Sequence, residues 1–131
     1  MNTIDILVVV DAHGAFDTCS LQDNVYLIDT NKHVGSYRQG TSELVTVCKD
    51  NQGIKWRVTS VSPECDIEIV QFTGQMVDTK VCNPQKQGPL QDIFWEGFVQ
   101  ARGVAGTYQY SAVLSINGKN MSFDPFLQVI V

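Results

Sequence analysis

The chain has 131 residues, 44% apolar and 18% charged, a balance that supports one hydrophobic core, leaves no room for a second, and excludes an intrinsically disordered polypeptide. Its net charge of −5, with nine lysines and arginines scattered along the sequence, argues against a nucleic-acid partner, because phosphate binding draws on clustered basic side chains. A single domain over residues 1–131 is the expectation.

The opening Met1-Asn2-Thr3-Ile4-Asp5-Ile6-Leu7-Val8-Val9-Val10-Asp11 carries an apolar run too short to span a bilayer. It has no basic segment before it and no small-residue cleavage site after it. It reads as a first strand, Ile4–Val10, of a cytoplasmic protein with no membrane partner. Ser20–Asn24 suits a short helical turn capped by Ser20. Strands Val25–Ile28 and Leu44–Cys48 follow, and Lys49-Asp50-Asn51-Gln52-Gly53 reads as a hairpin turn into Ile54–Ser60. In that strand Ile54, Trp56, Val58 and Ser60 share one face and Lys55, Arg57 and Thr59 the other, the period-two signature of a half-buried strand.

Ile67–Phe72 is the next strand. The stretch Asn83–Pro89 reads as a long loop, since its two prolines remove ladder donors and its glycine breaks any helix. Beyond strand Ile93–Ala101, the run Tyr108–Ile116 sets Tyr108, Tyr110, Ala112, Leu114 and Ile116 against Gln109, Ser111, Val113 and Ser115. Asn117-Gly118 then supplies the positive φ angles of a type I′ turn, with Lys119–Phe123 returning and Phe126–Val131 as the last strand. No helical periodicity persists over three turns. The predicted fold is all-β, a single-domain antiparallel β-sandwich of eight or nine strands, immunoglobulin-like or jelly-roll-like. The segment Ala105-Gly106-Thr107-Tyr108-Gln109-Tyr110 resembles strand F of immunoglobulin-like sandwiches. Tyr108 would be its corner tyrosine, Trp56 its core tryptophan, and Tyr110 would stand where antibody-type domains place a cysteine.

Chemistry-bearing residues are sparse. Cys19, Cys48, Cys65 and Cys82 show no close pairing, and His13 and His33 make no zinc-ligand set with clustered cysteines, so reduced thiols and no metal are expected. Neither histidine adjoins a nucleophile motif and there is no glycine-rich phosphate cradle, so the chain does not read as an enzyme. Asp11, Asp17, Asp23 and Asp29 recur through turn-rich sequence. Oxygen-rich loops of this kind bind calcium, while Asx turns account for the same residues without an ion. Trp95, Tyr37 and Tyr26 offer flat apolar faces to a sugar ring, although Trp95 sits in a core-like run. The candidate ligand-binding set is therefore Asp23, Asn24, Asp29, Tyr37 and Trp95, with no cofactor other than calcium. Asn120-Met121-Ser122 fits a glycosylation sequon but lies in a predicted strand.

Five stretches in order resemble the AidA/PixA family of bacterial inclusion-body proteins. These are Ile4-Asp5-Ile6-Leu7-Val8-Val9-Val10-Asp11, Leu21-Gln22-Asp23-Asn24-Val25-Tyr26-Leu27-Ile28-Asp29, Gly40-Thr41-Ser42-Glu43-Leu44-Val45-Thr46, Ile54-Lys55-Trp56-Arg57-Val58 and Phe123-Asp124-Pro125-Phe126. The resemblance implies a cytosolic, abundantly made protein of a host-associated bacterium, stored in inclusions and serving colonisation or virulence. It supplies no catalytic residues. With three methionines, the chain does not follow the Met-rich relatives toward methionine storage. The expected function is self-association, and the alternative is a lectin-like module that grips glycans.

Overall fold

The apolar opening forms strand β1 (Ile4–Val10) in a computed structural model that describes residues 3–130. Met1, Asn2 and Val131, which belong to the predicted opening and last strand, lie outside the described residues. The chain continues through α1 (Ala12–Thr18), β2 (Val25–Asp29), one turn of 3-10 helix (Lys32–Val34), β3 (Val45–Lys49), β4 (Gly53–Ser60) and β5 (Ile67–Thr73). It then forms α2 (Gln75–Asp78), β6 (Gln85–Gln87), β7 (Phe94–Phe98), β8 (Gly106–Gln109), β9 (Ser111–Ile116), β10 (Lys119–Phe123) and β11 (Phe126–Ile130).

The all-β reading holds, while the count and pairing differ from expectation. The described residues form eleven strands in three sheets, ordered β2-β1-β4-β7-β6, β10-β9-β5 and β3-β11-β8. Nor is the pairing wholly antiparallel, because β1 runs parallel to β4 and β3 runs parallel to β11. Period-two patterning assigns each strand a buried face but carries no information on the direction of its neighbour. One core cluster lies among the sheets, with Ile4, Ile6 and Val8 of β1, Ile54 and Trp56 of β4, Leu114 and Ile116 of β9, and Leu127 of β11 all almost fully buried.

Local chemistry explains the other departures. Residues 49–53 turn as expected but do not close a hairpin: β3 pairs with β11, and β4 with β1 and β7. The turn's backbone bonds go to Val99, with the Asn51 N–H donating to the Val99 carbonyl at 2.7 Å and the Val99 N–H to the Gln52 carbonyl at 2.9 Å, which extends the β4–β7 ladder. The Asp50 carboxylate accepts backbone N–H bonds from Gly103 and Ala101, and those bonds hold it below the usual aspartate range. The predicted loop at 83–89 contains the polar edge strand β6, whose residues Gln85, Lys86 and Gln87 lack apolar alternation and are ordered by pairing with β7. The expected strand Tyr108–Ile116 breaks at Tyr110, whose N–H donates to Pro125 O at 3.0 Å. There the chain leaves β11's sheet and joins β5 and β10, while Tyr110, Ala112, Leu114 and Ile116 all remain buried.

The helix α1 also precedes the expected one. Asp11 caps it through its carboxylate, 3.0 Å from the Gly14 N–H, and it ends at Cys19 in the left-handed region with φ 56°. Gly14 is required, since a Cβ there would sit 2.3 Å from Asn24 Oδ1. Residues 20–24 form a turn in which Ser20 Oγ accepts the Asp23 N–H at 3.3 Å.

Candidate functional site

The five predicted ligand residues fall in different surroundings. Asp23 is exposed at the turn before β2. Asn24 beside it is buried, and its Nδ2 donates to Thr18 Oγ1 at 2.9 Å and to Ser20 O at 2.8 Å, tying α1 to the following turn. Asp29 closes β2 and is half-buried. Its Oδ1 accepts from the Asn31 N–H and from Gln39 Nε2, and its Oδ2 accepts from Thr46 Oγ1 at 2.7 Å. Asn24 and Asp29 thus fasten loops through bonds within the chain. Among the described residues Asp11, Asp17, Asp23 and Asp29 do not converge to within one ion's reach.

The aromatic residues do not form one platform. In the register of the large sheet, Trp95 lies opposite Trp56 on the core-facing side, whereas Tyr26 lies opposite Val9 on the outer side. Tyr37 is exposed beside Arg38, whose guanidinium carbon lies 5.7 Å from the ring centroid. Trp95 packs on Phe72 with ring centroids 5.4 Å apart. Its indole N–H is buried without a hydrogen-bond partner, an expense that native interiors seldom leave in place. The same side chain lines a groove of about 430 Å³ together with Arg57, Asp66, Glu68, Leu90 and Asp92. Arg57 reaches Asp92 Oδ1 with its Nε at 3.2 Å and lies 5.0 Å above the Phe94 ring.

A second surface was not singled out by sequence. Pairing of Leu7 with Ile28 and of Val9 with Tyr26 places four apolar side chains on the outer side of the β1–β2 pair. Tyr26 is 44% and Ile28 46% exposed, and Leu7 and Val9 are half-buried. Charged Asp5, Lys55, Arg57 and Glu96 share that face in the same register. The signal was available in β1, which is apolar at both parities from Ile6 to Val10, where a strand facing water on one side would alternate. An apolar stripe rimmed by charge is the usual make-up of a contact surface.

These features define an all-β protein with three sheets around one core, an apolar outer stripe and a groove under Trp95. The chain belongs to the family described as a domain of unknown function (DUF8788), whose model matches residues 2–122. Among solved structures, the crystal structure of the inclusion body protein PixA from Burkholderia cenocepacia J2315 is similar, with a TM-score of 0.68 at 14% identity over 99% of this chain and 94% of that one. The likeness is one of fold, and to that extent the motif resemblance to AidA/PixA proteins is supported. No curated protein sequence matches the chain. Among the described residues no helix is long and apolar enough to cross a membrane.

Proposed function

We propose that this chain is a self-associating, non-enzymatic protein of inclusion-body type that works in the cytoplasm of a host-associated bacterium. The observation that carries the reading is the outer stripe of Leu7, Val9, Tyr26 and Ile28, on a fold shared with an inclusion body protein. A face of this composition gains free energy on burial against a second copy, at roughly 25 cal/mol per Å² of apolar surface removed from water. Repeated contacts that fail to close build extended assemblies. Light scattering coupled to gel filtration across a concentration series, with microscopy of expressing cells, tests it. The expected result is a mass that rises with concentration and particles inside the cell. A monomer at every concentration, with no intracellular particles, overturns the reading.

The carbohydrate-binding alternative, with a role in colonisation or virulence, draws its support from the Trp95 groove. There the Trp95 side chain and several carboxylates border one concavity, and the buried indole N–H of the same residue has no partner. Because Asn24 and Asp29 already bond within the chain, this reading rests on Trp95 more than on the rest of the sequence-derived set. A glycan array run with and without calcium decides it, and an array without a single hit under either condition eliminates it.

A further inference from the structure

We propose that His13, Glu64 and Cys65 form a binding site for a divalent transition-metal ion of zinc type. The three lie 51 and 52 positions apart in sequence, which is why no spacing motif reveals them, and the topology brings them together. β1 and β4 are parallel neighbours with Val10 opposite Ser60, so the segments that follow them emerge side by side at one end of the sheet. An antiparallel pair would send them to opposite ends. α1, which carries His13, follows β1, and the loop carrying Glu64 and Cys65 follows β4.

Both segments are fastened at their roots. The Val61 N–H donates to the Val10 carbonyl at 2.9 Å, joining the two exits directly. Asp11 caps α1 two residues before His13, fixing the turn that carries it. On the other segment the Ser62 N–H donates to Ser60 Oγ at 3.0 Å and the Cys65 N–H to Ser62 O at 3.1 Å, while the Asp66 N–H is held by Asn117 Oδ1 at 2.8 Å. Glu64 and Cys65 therefore project from a short bridge anchored at both ends.

The donor atoms are already close. His13 Nε2 is 3.0 Å from Glu64 Oε1, and one ligand atom from each of the three residues lies within 4.8 Å of the others. Tetrahedral zinc bonds set donors roughly 3.3 to 3.7 Å apart, so His13 Nε2 and Glu64 Oε1 need to part slightly and any wider separation from Cys65 Sγ to close. His13 and Glu64 are mostly exposed, whereas Cys65 is half-buried against the core and fixes one corner. An imidazole, a carboxylate and a thiolate form a borderline-soft set that suits zinc or cobalt and not calcium or magnesium. An ordinary surface ion pair accounts for His13 and Glu64, but not for a free thiol converging on them. On binding, the metal replaces the Cys65 Sγ proton, which passes to solvent, and bonds to neutral imidazole. Water completes the fourth position, as in zinc sites with three protein ligands.

Titration of the full chain with Co²⁺, thiols kept reduced by a non-coordinating phosphine, tests the site. The expected result is one ion per chain, with a thiolate-to-cobalt charge-transfer band in the near ultraviolet, visible bands of four-coordinate cobalt, and displacement by Zn²⁺. Cys65→Ser removes the charge-transfer band. His13→Ala weakens binding by more than the roughly tenfold to hundredfold that losing an outer partner of a metal ligand costs. Cys19→Ser, at the exposed thiol elsewhere, changes neither. Absence of the band at excess Co²⁺, or a band that survives both Cys65→Ser and His13→Ala unchanged, overturns the proposal. His13→Ala, at an exposed position, carries the test if Cys65→Ser fails to fold.

Discussion

The indole N–H of Trp56 donates to the Tyr110 hydroxyl at 3.1 Å, with both side chains about 1% exposed, and so joins β4 to the break between β8 and β9. Tyr108 is the tyrosine expected to be structural, whereas the buried, hydrogen-bonded one is Tyr110. Tyr108 curls back over Gly106, its hydroxyl 3.2 Å from where a Cβ would sit. Phe72 lies between Trp56 and Trp95, with centroids 4.9 and 5.4 Å away, so the Trp56–Tyr110 pair continues into the Trp95 groove.

Tyr110→Phe isolates that bond. The ring keeps its contacts with Trp56 and Phe72, but a buried indole N–H loses its acceptor. The expected loss is about 1–3 kcal/mol of stability. It should appear as a lower urea midpoint with an unchanged m-value, since the surface exposed on unfolding stays the same. A midpoint equal to that of the parent chain would mean the bond contributes nothing net.

The Asn117-Gly118 turn has φ angles of 49° and 86°, both positive as a type I′ turn requires. Asn117 has a second task, because its N–H donates to Asp66 O and its Oδ1 accepts the Asp66 N–H, each at 2.8 Å. Asn117→Ala loses both the tolerance for left-handed backbone and the side-chain acceptor, for an expected cost of about 1–2 kcal/mol. Asn117→Gly keeps the backbone and loses only the acceptor, so it should fall between the two in a thermal melt. Equal melting temperatures for alanine and glycine would show that backbone strain plays no part.

Much of this architecture was legible because alternation and turn chemistry are local. β1, β2, β4 and β5 lie within a residue or so of where the sequence placed them, and the β9–β10 hairpin turns at Asn117-Gly118 as expected. What escaped was decided at a distance. The parallel pairing of β1 with β4 depends on the crossover between them, β6 is ordered by its neighbour and not by its own side chains, and the break at Tyr110 depends on Pro125. The candidate site follows the same rule. Carboxylates and aromatics could be named one by one, yet whether Trp95 and Tyr26 share a face, or whether His13 meets Cys65, depends on register alone.

Cys48 and Cys82 are buried, and burial pushes both thiols up to about 12, with the Asp50 carboxylate adding to the effect at Cys48. Cysteine in the unfolded chain ionises at the ordinary value of 9.0. The folded state therefore holds protons that the unfolded state releases, so stability is fully present below pH 9 and falls as pH rises from there toward 12. Chemical denaturation in steps above pH 9 should show that decline, and Cys82→Ala should make it shallower. Iodoacetamide on the native chain at pH 8 should modify exposed Cys19 first and leave Cys48 and Cys82 unmodified until denaturant is added. Equal labelling rates at all four thiols would contradict the burial that drives the shift.

Ile28 offers the sharpest test of self-association. It is 46% exposed on the outer side of β2 and faces Leu7 across the strand pair. Ile28→Lys should change monomer stability by no more than about 0.5 kcal/mol, as surface substitutions usually do. Any contact between copies that buries the stripe would then have to bury an ammonium group as well, which is costly unless the charge is paired. Association should weaken by at least tenfold, equivalent to about 1.4 kcal/mol, and intracellular particles should become fewer. Leu90→Ser is the control. Leu90 is 87% exposed and lines the Trp95 groove without belonging to the four-residue stripe, so its loss should leave the association constant unchanged. If Leu90→Ser weakens assembly and Ile28→Lys does not, the contact surface lies at the groove and the outer stripe is not the interface.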